Sequence, residues 1–73
     1  MSLKSRFRLA SNHAAPGSDR KLTFEPALHA KPDELQFQAA SKSGDVIVHV
    51  FGSRLASKLD VGKDYFIEIT PAT

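Results

Sequence analysis

Residues 46–51 constrain the fold more tightly than any other stretch, because they are apolar on both sides of an extended chain. Side chains alternate along a strand, so Val46, Val48 and Val50 point one way and Ile47, His49 and Phe51 the other. The β-branched content favours a strand over a helix. A small sheet buries only one of these two sets inside. The other needs a lid: the helical turn that follows, the loop at 27–32, or a second chain. An uncovered β-branched stripe is an aggregation hazard.

The rest of the C-terminal third closes the sheet. Gly52 breaks the strand, and Ser53 stands where its hydroxyl caps a short helical turn. Leu55, Ala56 and Leu59 fall on one helical face, with Arg54, Lys58 and Asp60 on the other. About seven residues do not hold a helix alone, so this turn packs onto the barrel end. A turn at 61–64 leads into a final strand with Tyr65, Ile67 and Ile69 inward and Phe66 outward beside Glu68. Pro71 stops it.

The N-terminal part alternates with period two. Phe7 and Leu9 face one side of a strand over residues 4–12, opposite Arg6, Arg8 and Ala10. Pro16 and Gly17 suit the centre of a type II turn in the loop at 12–19. Leu22 and Phe24 then alternate with Lys21, Thr23 and Glu25 until Pro26, which cannot donate to a ladder. Residues 27–34 read as loop. Leu35, Phe37 and Ala39 give a further alternating segment at 34–40, and the polar turn at 41–45 with Gly44 reads as a tight hairpin.

These elements predict an all-β fold: a small five-stranded antiparallel SH3-like barrel or half-barrel with one short helical turn before the last strand. An OB-like barrel would place its helix between the third and fourth strands, where this chain has only the turn at 41–45. With 73 residues the whole chain, 1–73, is one domain. Such a domain buries roughly 60% of its unfolded surface, so its stability is marginal without a supplement. The absence of cysteine excludes disulfide staples and thiolate metal sites, leaving oligomerisation as the common supplement.

Charge is uneven. Residues 1–24 carry Lys4, Arg6, Arg8, Arg20 and Lys21 against Asp19 alone, a surplus of four, while the remainder has five basic and seven acidic residues. A basic end suits an acidic partner, or serves as a solvated edge strand. No stretch approaches the ~18 apolar residues of a membrane helix. Met1-Ser2-Leu3 carries no functional weight, and no apolar run follows Lys4, Arg6 and Arg8 as in a secretory signal. The expected location is cytoplasmic, with no membrane partner.

Little in the chain suggests catalysis. His13, His29 and His49 lack metal-ligand spacing, so neither metal nor cofactor is expected. Asp33 and Glu34 point apart on an extended chain, and the serines beside Lys42 lack a shaped pocket. The glycines at 17, 44, 52 and 62 are isolated and form no phosphate-cradling loop. The chain is expected not to be an enzyme. Nucleic-acid binding is the alternative: Arg6, Arg8, Arg20 and Lys21 could follow a phosphate backbone. Phe7, Phe24 and Phe37 occupy core phases, however, leaving Phe51, Tyr65 or Phe66 to stack on bases.

Four stretches together resemble one known group. They are Arg6 to Arg8, Leu22 to Pro26, Ser43 to Val50, and Gly62 to Ala72. This order is similar to a family of small proteins from tailed bacteriophages and bacterial prophages, which end in a glycine-lysine, an aromatic pair, an alternating strand and a threonine-proline tail. The chain departs from that pattern at Asp33 to Gln36, where an asparagine-containing loop is usual. It departs again at Ser41 to Ser43, where a threonine-proline pair is common. The resemblance implies a phage or prophage context, inside the bacterial host or on the virion, and no catalytic residues. The expectation is a non-enzymatic accessory or virion-associated protein. It acts through protein–protein contact at Ile47, His49, Phe51 and Phe66, self-associates, and has phage structural proteins as further partners.

Overall fold

A computed structural model describes residues 1–52 and 54–73. Four strands are present: β1 (Leu3–Ala14), β2 (Arg20–Pro26), β3 (Val46–Val50) and β4 (Asp64–Ile69). A 3-10 turn at Pro32–Glu34 and a short helix, α1 (Arg54–Ser57), lie in the connections. The strands form one antiparallel sheet in the order β3-β2-β1-β4, curled into a half-barrel. The expected mostly β fold and the helical turn before the last strand are both present. The expected Ser53 cap lies outside the described residues.

The long strand β1 organises the sheet. Its first half pairs with β4, from Leu3 opposite Ile69 to Arg8 opposite Asp64. Its second half pairs with β2, from Phe7 opposite Pro26 to Ala14 opposite Arg20. A bulge between Leu9 and Ser11 inserts one residue, so the inward phase shifts from Phe7 and Leu9 to Asn12. The strand therefore runs past the loop start expected at 12. Leu9 also receives a hydrogen bond at its carbonyl from Gly62 N–H (2.8 Å) and donates to Lys63 O (2.9 Å). Gly62 meets that carbonyl at φ 94°, a conformation that glycine adopts without a Cβ clash.

The concave face holds the core. Phe7, Leu9, Leu22 and Phe24 are buried, and Phe37, Val46, Val48, Val50, Leu59, Tyr65 and Ile67 pack around them. Full burial of one such side chain contributes roughly 1.5–3 kcal/mol, so four leave little reserve against chain entropy. Helix α1 packs over the open mouth through buried Ala56. The Asn12 amide holds it there, donating to Ala56 O (2.9 Å) and Leu59 O (3.2 Å).

The segment at 34–40, expected as a strand, makes a single bridge, Ser5 opposite Leu35. Beside one long backbone bond, from Gln36 N–H to Lys4 O (3.4 Å), its bonding to β1 is by side chains. Lys4 N–H, which a continued ladder would give to a backbone carbonyl, donates to Gln36 Oε1 at 2.7 Å. The buried Ser5 hydroxyl accepts from Phe37 N–H (2.8 Å) and donates to Phe37 O (2.7 Å). The segment lies beside β1 beyond Pro26, where β2 can no longer pair. The turn at 41–45 consequently leads into β3 rather than closing a hairpin.

Candidate functional site

The outward residues of β3 form an exposed apolar feature on one edge of the sheet. Strand β3 pairs with β2 alone and is one edge of the sheet. Its valines face the core, as expected from period two. Ile47 is 63% exposed and Phe51, just beyond the strand, 80% exposed. Neither expected lid within the chain covers them. Helix α1 turns its Ala56 to the concave side and leaves Leu55 exposed, and Leu28 of the 27–32 loop is itself exposed.

His49 lies between the two, with its ring 4.9 Å from that of Phe51. Its Nε2 is 2.9 Å from Asp19 Oδ2. The other carboxylate oxygen of Asp19 accepts from Gly52 N–H at 2.8 Å. Asp19 thereby ties the β1–β2 loop to the end of β3. The His49 bond foremost, and the Gly52 N–H after it, hold the Asp19 carboxyl below its ordinary range.

Phe66 does not join this patch. It lies on β4, the opposite edge, paired with Arg6 in register. Lys4 Nζ stands 5.0 Å and Arg6 Cζ 4.8 Å from its ring centroid, so two cations cover it.

The four basic residues considered for nucleic acid are dispersed. Arg6 is bound by Glu34 through its Nε (3.0 Å) and a second guanidinium nitrogen, and by Asp64 at 3.4 Å. Glu34 is held below the usual carboxylate range chiefly by that Arg6 bond. Arg8 pairs with Glu25 at 3.1 Å. Arg20 occupies the core phase of β2 and donates to the Asn12 side chain (2.8 Å) and to Asn12 O (3.2 Å). Lys21 is exposed on the outer face, opposite His49 in the register.

Among the described residues no three His, Asp or Glu side chains gather as a metal site. No described helix is long and apolar enough to cross a membrane. Comparison of the chain with protein-family models, curated proteins and solved structures finds no match.

The sequence pointed to Ile47, His49 and Phe51 correctly as one outward set. It gave no sign of Asp19 and Asn12, whose bonding partners are distant in sequence.

Proposed function

We propose that the protein is a non-enzymatic interaction module that self-associates through the outer side of β3, with Ile47, His49 and Phe51 in the contact. The observation that supports this is the exposure of Ile47 and Phe51 beside an unpaired strand edge. Strand β3 contains no lysine or proline, the residues that keep an edge from pairing. Burial of these side chains would supply what a domain of this size lacks in core. Phe66 would serve as a separate contact on the opposite edge.

The biological setting we propose is a phage or prophage accessory or virion-associated role, in the bacterial cytoplasm or on the particle, with phage structural proteins as further partners. The resemblance in turns and strands supports it, by context alone. The finer architecture we propose is SH3-like, with the segment at 34–40 as a rudimentary fifth strand. Its Leu35 bridge and the Phe37 ring, 6.0 Å from Phe7, support that reading.

Light scattering on a size-exclusion column tests the central claim. The expected result is a dimer or larger species for the native sequence and a folded monomer for Ile47→Lys, with an unchanged circular-dichroism spectrum and a lower melting temperature. A native protein that stays monomeric at every concentration ends the proposal. Nucleic-acid binding has weaker support, since carboxylates occupy Arg6 and Arg8. A gel shift at low salt that weakens on Arg6→Ala and Arg8→Ala would restore it.

A further inference from the structure

We propose that the cleft between the β1–β2 loop and the residues Gly52, Arg54 and Ser57 binds a phosphate-type oxyanion through Arg20 and Arg54. The cleft has a volume of about 490 Å³, and its lining includes Arg20, Arg54, Ser18, Asp19 and Gly52. The inference is independent of self-association.

The sheet treats its arginines in two ways. Arg6 and Arg8 each meet a carboxylate. Arg20 meets none among the described residues. Its partners are the neutral side-chain and backbone oxygens of Asn12, reached through Nε and Nη2. Asn12 is itself fixed to the carbonyls of Ala56 and Leu59. The guanidinium is thus half-buried, oriented from behind and left with its full charge, and among the described residues its hydrogen bonds run through Nε and Nη2. A planar fork held in this way needs little further ordering to meet an oxyanion.

Arg54, an exposed residue at the start of α1, also lines the cleft and adds a second positive charge there. Asp19, the acid in the described lining, has both carboxylate oxygens engaged, one by Gly52 N–H and one by the His49 ring. It keeps its negative charge, so the described lining carries two cations against one anion. Two cations lining one open cleft, large enough for a phosphate ester, favour a group that accepts from both.

The test is a two-dimensional amide NMR titration of the full chain at constant ionic strength, with inorganic phosphate in one arm, glycerol 3-phosphate in a second, and chloride as reference. Saturable shifts confined to residues 14–20, 52 and 54–57 are expected. The exposed substitution Arg54→Gln should weaken binding about tenfold. Lys21→Gln, outside the cleft, should leave it unchanged. Tighter binding of glycerol 3-phosphate than of phosphate would mark an ester as the ligand, and equal binding the free ion. Three results each overturn the proposal: no phosphate-specific shift, shifts spread evenly over the exposed lysines, or an affinity indifferent to Arg54→Gln.

Discussion

Each edge strand of the sheet carries a large apolar side chain on its outer face, and the two are treated oppositely. On β4, Phe66 stands between Asp64 and Glu68, and Lys4 and Arg6 from β1 lie over its ring. On β3, Ile47 has only Asp45 and His49 at the corresponding positions, and it is 63% exposed against 47% for Phe66. One edge is thus screened by its own chain with charges, the usual defence against strand addition. At the other, among the described residues, Asp45, His49 and, across the register, Lys21 leave Ile47 mostly exposed. The contrast shows that the chain has the means to protect an edge and applies them at one end only.

The largest effect expected from breaking this arrangement comes at Ser5. Its side chain is fully buried and clamps both polar groups of the Phe37 backbone. Replacing the hydroxyl in Ser5→Ala orphans those groups and should cost about 1–3 kcal/mol. It should also loosen the segment that lies along β1 beyond Pro26, giving the protected half an open edge of its own. Urea unfolding and light scattering on the same variant check both effects. A loss below about 0.5 kcal/mol would show that water replaces the hydroxyl freely and that the clamp is not what protects this half.

That clamp also marks where the sequence stops being legible. Period two identified Phe7, Leu9, Leu22 and Phe24 as core and split β3 into two apolar sets, of which the valines prove to be the inner one. The same alternation in Leu35 and Phe37 gave a strand that the chain does not complete. Alternation placed Phe37 against the core but left Leu35 half exposed, and a ladder also needs free backbone partners. Here Gln36 supplies a side-chain oxygen to Lys4 instead. The bulge at Leu9 and Ser11 was illegible for a related reason: no glycine or proline marks it, so Asn12 read as loop. At the candidate surface, the two-sided apolar pattern revealed the outward set. The missing lid depended on the direction in which α1 packs, which the Asn12 bonds settle.

A smaller effect should separate the two ends by pH. The Asp19 carboxyl, which ties the β1–β2 loop to the end of β3, is held below its ordinary range by His49 and then Gly52. A depressed folded-state pKa means that the bond contributes fully above the unfolded value, about 4, and is lost as pH falls towards the folded one. Glu34, depressed chiefly by Arg6, adds a second contribution of the same sign at the other end. The urea midpoint should therefore fall between neutral pH and pH ~3. Asp19→Asn should remove part of that fall and Glu34→Gln another part. Equal pH slopes for Asp19→Asn and the native protein would mean that the tie at the β3 end does not persist in solution.

The smallest effect probes the screen over Phe66 itself. A cation over an exposed aromatic ring contributes about 0.5–1 kcal/mol. In a double-mutant cycle, Lys4→Gln and Phe66→Leu should couple by an amount near the lower end of that range, because Lys4 is exposed and Arg6 still covers the ring. The coupling should shrink in high salt, as expected for a solvent-exposed charge. Lys4→Gln should leave the oligomeric state unchanged, since association is assigned to β3. If Lys4→Gln instead raised the apparent mass on the column, the two edges would differ only in how well each is screened, and any apolar strand edge in this sheet would recruit a second copy once its charges were removed.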